Sequence, residues 1–380
     1  MPLEHTGIPL QPALAFKTAL SGIKQNVIVC ITMVVLSLVM VFSGVMRENM
    51  IKDMAPFINF IVGETADSCI NVNVKTEKEF LQKMRTDARV EKIYLYTSVE
   101  VRHVEGIGLL ATVCDDFSKV NNKDGVFEGR FPKYDNEIAV AAKYAEENGL
   151  KVGNEIKVTA GGRQAAYIIS GFTQTTNNLG KDCLLTREGY ERLSKLENTS
   201  YYMNLSEGCD IEKFHSEVKE RFGDKVNAMI NIEEIIEGTA SVYVSLMKMI
   251  VIGILVLSLI VIAFVLYLLV RTMLNNKKQD YGILKALGFT TGQLILQTAA
   301  SFMPAVLLST AAGVTVCSFI INPLIAVFLK DIGIVKCTFT VPAGFNILAG
   351  MGLISAAFAI SCLLSLEIRT IAPKDLIAGE

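Results

Sequence analysis

Tryptophan is absent from this 380-residue chain, and histidine occurs only three times. His5, His103 and His215 stand far apart, so no two share the spacing of a metal site. Charge is scarce too, at 19% of residues against about 25% in an ordinary soluble domain. No G-x-x-x-x-G-K-[ST] run occurs, which excludes a phosphate loop for ATP within this sequence. Leu20–Ser21–Gly22 faintly matches an ATPase signature, but Ile23 breaks it. No G-x-S-x-G nucleophile elbow is present either. The net charge of −2 lacks the basic surface that a nucleic-acid binder needs.

The shortage of charge is uneven. Residues 47–248 hold 26 Lys/Arg and 32 Asp/Glu, whereas the other 178 residues hold only 10 and 6. The chain is therefore a soluble, mildly acidic middle between very apolar flanks. About 20 apolar residues in a helix cross the hydrocarbon core of a bilayer. Val27 to Val45 carries no charge, nor does Met249 to Val270. The 43 uncharged residues from Leu287 to Leu329 are too many for one span, and Pro304, Gly313 and Asn322–Pro323 interrupt them. Cys337 to Leu366 is uncharged again. These runs predict spans at 27–46, 249–270, 298–321 and 343–366. Residues 322–342 form an outer loop.

Lys and Arg collect in short cytoplasmic segments. Lys17 and Lys24 precede the first run; Arg271, Lys277, Lys278 and Lys285 follow the second; Arg369 and Lys374 follow the last. The bias predicts both termini inside and residues 47–248 outside. Residues 1–26 read as an interfacial helix on the inner face, 271–297 as a cytoplasmic loop and 367–380 as a cytoplasmic tail. The first run is too long for a signal peptide and no A-x-A site follows it. No charge falls inside any predicted span, so an ion relay through the bilayer has no support.

The middle domain reads as α+β. Cys69–Val74 alternates like a strand. Thr76 and Glu79 have capping-box spacing and open a helix to about Ala88. Lys92–Val104 is the next strand. Tyr201–Leu205, a helix Ile211–Phe222 capped by Asp210 and closed by Gly223, and Val226–Ile232 form a second such unit. Two β-α-β units point to a ferredoxin-like split fold. Between them, about 107–196 reads as a β-rich insertion with strands at Glu137–Val140, Glu155–Thr159, Ala165–Phe172 and Cys183–Thr186, and a turn at Gly161–Gly162. Ile232–Met247 is helix-compatible, so the domain joins the second span by a continuous helix.

Cys30, Cys317 and Cys362 fall in spans; Cys69, Cys114, Cys183, Cys209 and Cys337 fall outside. Five is an odd number, so either one or two disulfides or buried thiols fit. Asp115–Asp116 and Glu146–Glu147 read as solvated faces rather than an acid/base pair.

Three stretches carry a family resemblance. Lys277-Lys-Gln-Asp-Tyr-Gly-Ile-Leu-Lys-Ala-Leu-Gly288 lies between spans two and three. Gly129-Arg-Phe-Pro, Asn136-Glu-Ile-Ala, Gly149 to Val158 and Ile168 to Phe172 lie in the middle domain. Ile368 to Ile377, in the tail, reads R-x-x-x-P-x-x-L, similar to a closing R-x-x-x-P-x-x-x-L segment. Together with the order of one span, a large domain and three spans, they resemble the FtsX-like (MacB-type) permeases of ABC transporters. The family favours Glu where this chain has Asp280, and Ile where it has Tyr281.

The resemblance implies a non-enzymatic, multi-pass permease of the bacterial plasma membrane, with no cofactor of its own. ATP is bound by a separate cytoplasmic ATPase. The partners implied are that ATPase, a second permease copy or homologous half, and the lipid bilayer. Motion of the ATPase reaches the outer domain, which exports or extracts a peptide, lipid, lipoprotein or drug. The alternative is control of a cell-wall hydrolase or sensor kinase by the same apparatus. The expected ATPase-coupling helix is 277–288. Lys277, Lys278 and Lys285 would meet an acidic surface beside Asp280. Ile283, Leu284 and Leu287 would fill an apolar groove, and Gly288 would end the helix.

Overall fold

A computed structural model describes residues 23–54, 57–59, 63–103, 107–276 and 278–370. The chain divides into two units. A membrane unit takes Met1–Lys52, Leu246–Ile321 and Phe339–Glu380, and a head takes Asp53–Ser245 and Asn322–Thr338. Most of the expected interfacial helix at 1–26, and the tail from 371 to 380, lie outside the described residues.

In the membrane unit, α1 (Ile23–Met46) continues into a π-helical turn, Arg47–Lys52. The described residues hold four helices long and apolar enough to cross a membrane: Asn26–Lys52, Val244–Asn276, Thr291–Ile332 and Ala343–Thr370. Val29, Met33 and Leu36 of the first meet Ile262, Leu266 and Leu269 of the second in one apolar core. Leu294, Phe302 and Val306 of the third and Leu353 and Ala357 of the fourth join them. The opposite faces carry exposed apolar side chains such as Phe264, Leu308 and Phe319, as a lipid-facing surface requires.

The head contains β1 (Ser68–Asn73), α2 (Glu77–Met84), β2 (Val90–His103), β3 (Gly108–Cys114) and β4 (Val126–Gly129). After these come β5 (Glu137–Ala141), α3 (Ala142–Glu147), β6 (Glu155–Ala160), β7 (Arg163–Thr173), β8 (Asp182–Thr186) and α4 (Arg187–Glu191). It ends with β9 (Asn198–Leu205), α5 (Ile211–Phe222), β10 (Val226–Asn231) and α6 (Ile232–Asn276), which runs on unbroken into the membrane unit. Asp210 accepts from Lys213 N at the start of α5, and Gly223 stops it at φ 53°.

The head sheet begins β10-β1-β9-β2, with every neighbouring pair antiparallel. At Tyr96, β2 leaves this sheet for another. Val90–Leu95 pairs with β9, and Tyr96–Arg102 pairs with β3. From there β3, β8, β5, β7 and β6 follow in turn, and β6 returns to β2 at Arg102 and His103. These pairings close a six-strand ring, and β4 stays outside it as an edge strand on β7. Phe80 and Phe214, on the two flanking helices, pack with Tyr201 and the ring's Ile138, Val158 and Ile169 in a single core.

Several expectations are corrected. Thr76 makes no side-chain cap; its hydroxyl donates back to Asn73 O, and Glu79 pairs with Lys83 and Lys225 instead. The helix it precedes ends at Met84 rather than Ala88. Pro304 and Pro323 do not interrupt the third apolar helix, α8 (Thr291–Leu329). A proline deletes one N–H, whereas ending a helix in an apolar setting would strand several backbone groups. The expected outer loop at 322–342 is helical to Leu329, with a 3₁₀ turn over Lys330–Ile332. Among the acids, Asp116 accepts from Ser118 N and Asp115 from Leu95 N, so this pair is structural rather than a bare solvated face, whereas Glu146 and Glu147 are exposed as expected. All eight cysteines are free, and burial pushes the Cys69 thiol up to about 11.

Candidate functional site

Between α6 and α8 lies α7 (Lys278–Ala286), and the last of the four long helices is α9 (Ala343–Leu364). Of the eight residues expected at this site, Lys277 lies outside the described residues. The other seven divide by face, because side chains three and four apart share one side of a helix.

The inward face is anchored. Tyr281 is buried, and its phenol and the Thr298 hydroxyl stand 2.9 Å apart. Thr298 in turn donates to Leu294 O on its own helix. Gly282 is buried beside Tyr281. Leu284 packs into the core of the membrane unit, and Lys285 Nζ donates to Ile368 O at 2.7 Å. Leu284 and Lys285 were expected to face a partner; the structure turns both inward, because each lies three or four residues from Tyr281 on the same face.

The outward face carries Lys278, Asp280, Ile283 and Leu287. Ile283 is 51% exposed and Leu287 73%. These two stand four residues apart, with Asp280 one turn before them. An apolar pair flanked by charge is the pattern a helix presents to a groove.

The end of α7 is a Schellman motif. Phe289 N donates to Leu284 O and Gly288 N to Lys285 O, each at 3.1 Å. Gly288 has φ +93°, a conformation that a Cβ disfavours. The next helix then opens with a reciprocal capping box. Gln293 N donates to the Thr290 hydroxyl at 3.3 Å, and Thr290 N donates to Gln293 Oε1 at 3.0 Å. Tyr281, Phe289, Thr290 and Gln293 were missed from sequence. Thr290-x-x-Gln293 has the same capping-box spacing as Thr76-x-x-Glu79 and, unlike it, closes the box.

Clefts among the described residues of the head include two with polar linings. One of about 570 Å³ is bordered by Asp115, Phe117, Lys123, Arg130, Phe131 and Lys133. Its charges are engaged: Arg130 forks onto Glu137, and Lys123 Nζ donates to Ser118 O. The other, of about 280 Å³, is bordered by Asp67, Asn121, Asn204, Glu233 and Glu237. No group of three or more His, Cys, Asp and Glu among the described residues could hold a metal ion.

Residues 252–373, which take in α7 and its flanking helices, match the family described as FtsX-like permease C-terminal. Over this stretch the chain is an FtsX-like permease C-terminal domain. Its relatives carry transporter names. The chain is 29% identical over 189 residues to a Staphylococcus haemolyticus protein named as hemin transport system permease HrtB, covering 49% of each chain. It is 26% identical over 181 residues to the uncharacterized ABC transporter permease MJ1507 of Methanocaldococcus jannaschii, covering 44% of each. The chain thus spans about half the length of the curated relatives it matches. Among solved structures, a domain of a permease protein from Porphyromonas gingivalis aligns over 44% of this chain and 90% of its own, at 12% identity and a TM-score of 0.29.

Proposed function

We propose that this permease couples a separate, ATP-binding ABC ATPase to its head, and that α7 is where the ATPase docks. The observation that carries the reading is the two-faced helix. One side is fixed by Tyr281, Leu284 and Lys285. The other offers Ile283 and Leu287 to a groove, with Lys278 and Asp280 beside them. A helix held on one face and apolar on the other can pass on a push without yielding to it.

The excess of Lys and Arg between the second and third apolar helices supports a cytoplasmic position for α7, with both termini inside and the head outside a bacterial plasma membrane. A second permease copy, or a homologous half, completes the assembly. We read β1–α2–β2 and β9–α5–β10 as two split β-α-β units, supported by the sheet order, with the six-strand ring inserted between them. The working role is export or extraction of a peptide, lipid, lipoprotein or drug. The name of the staphylococcal relative favours a small lipophilic cargo. No observation favours the regulatory alternative.

The test is co-purification with the ATPase. Ile283→Asp with Leu287→Asp places two carboxylates on the free face and should abolish it while the permease stays folded. ATPase recovered at the unsubstituted level would refute the assignment.

A further inference from the structure

Gln174 stands just past the end of β7, 7% exposed, and its side chain is spent on a distant piece of chain. Its Oε1 accepts from Val335 N at 3.1 Å and Lys336 N at 2.9 Å. Its Nε2 donates to Lys336 O at 2.6 Å. One amide thus pairs with the backbone of one residue as a neighbouring strand would. Val335 and Lys336 lie in the segment joining α8 to α9, and that segment belongs to the head.

Other contacts converge there. Lys143 Nζ donates to Asp331 O at 2.6 Å and to Leu179 O at 3.3 Å. Lys330 pairs with Glu146 at 2.6 Å. Ile334 and Cys337 are buried. Gly333 (φ +107°) and Gly180 (φ +78°) meet backbone to backbone; a Cβ on Gly180 would come within 2.7 Å of Gly333 Cα. Larger residues would hold these backbones apart. On the next residue, a Cβ on Gly63 would come within 2.8 Å of the Thr175 side chain. Gly63 O accepts from Asn122 Nδ2 at 2.6 Å, and the Glu64 carboxylate accepts from Asn121 N and Tyr94 OH, each at 2.7 Å. Gly63 and Glu64 lie on the stretch that leaves the first apolar helix. Gln174 therefore holds a segment that continues on both sides into apolar helices, while Asn121, Asn122 and Tyr94 hold the one that follows the first.

We infer that Gln174 is a latch residue. It ties the α8–α9 segment into the six-strand ring, so that displacement of the third and fourth apolar helices reaches the ring directly and not only along α6. This rests on the coupling function proposed above. Gln174 positions the segment; it touches no cargo. The surface pair Lys330–Glu146 contributes little by itself, because both side chains are about half exposed. Three hydrogen bonds to a buried amide carry the tie.

Hydrogen exchange on the full-length permease in detergent tests the latch without any partner. In Gln174→Ala the amides of Val335 and Lys336 should exchange at least tenfold faster, while those of α5 keep their rates and report an intact head. Gln174→Glu keeps the acceptor for both N–H groups but loses the donor to Lys336 O, so its rates should fall between. Unchanged protection of Val335 and Lys336 in Gln174→Ala would overturn the latch. In the ATPase complex, Gln174→Ala should still co-purify but show a severalfold smaller nucleotide-dependent change in exchange of β5 and β8. A full-sized change would overturn the relay. The Ile283→Asp, Leu287→Asp variant leaves the partner-free readout untouched, so failure of docking and failure of the latch are separable.

Discussion

The Tyr281 phenol and the Thr298 hydroxyl meet at 2.9 Å, both buried, and hold α7 to α8 across one sharp turn. The family resemblance favours isoleucine at this position, which could fill the space but could not make the bond. Tyr281→Phe keeps the ring and leaves Thr298 its own bond to Leu294 O, so the loss should be about 1 kcal/mol. Faster proteolysis or exchange across 278–289, with the remaining helices unchanged, is the expected readout.

Glu77 lies buried at the start of α2, where Arg187 forks onto both its oxygens and Tyr201 OH donates to one of them. Burial alone would raise its pKa, but Arg187 and Tyr201 outweigh that and hold it below the ordinary value. The stability it contributes is present above the unfolded pKa and disappears as pH falls through the folded one. Glu77→Ala should cost roughly 3 kcal/mol at neutral pH, because it strands a half-buried guanidinium. The deficit against the unsubstituted permease should shrink in acid, as thermal melts at pH 7 and pH 3 would show.

Asp182 has the opposite sign. Burial pushes its carboxyl up from 3.8 to about 7, against the lowering effect of the Thr175 hydroxyl that donates to it. The unfolded chain ionises this group first, so the head loses stability as pH rises from about 4 to 7, by at most ~4 kcal/mol. Asp182→Asn removes the titration. Its melting temperature should follow pH with a flatter slope across that window, and an unchanged slope would count against the assignment.

In the membrane unit, Gly44 leaves room for α9. A Cβ there would lie 2.5 Å from Asn346 Oδ1 and 2.8 Å from the Phe345 ring. Gly44→Ala should destabilise the packing of α1 on α9 by about 1–3 kcal/mol, through overpacking. Gly253, with open space around it, is the matched control. Equal melting temperatures for Gly44→Ala and Gly253→Ala would contradict this packing.

Local chemistry was readable from the chain. The limits of α5 follow from Asp210 and Gly223, and the paired glycines 161–162 mark the β6–β7 turn. The charge-free runs foretold the helices apart from the prolines in α8. The exposed part of α7, Ile283 and Leu287, was legible from helical spacing. What that spacing could not reveal was the side on which the helix would be fixed. Leu284 and Lys285 look as available as their neighbours until Tyr281 finds Thr298 and Lys285 finds Ile368.

The sequence by itself settled composition-driven matters: which segments are apolar enough for a bilayer, which alternate as strands, and where caps and glycines stop a helix. Each depends on interactions within a few residues. Tertiary structure decided the rest. It split β2 between two sheets, closed six strands into a ring, and set Gln174 against a backbone 162 residues away. It also chose which face of α7 remains free. Those outcomes depend on which distant surfaces meet, and hydrogen-bond partners far apart in the chain leave no periodic trace in the residues between them.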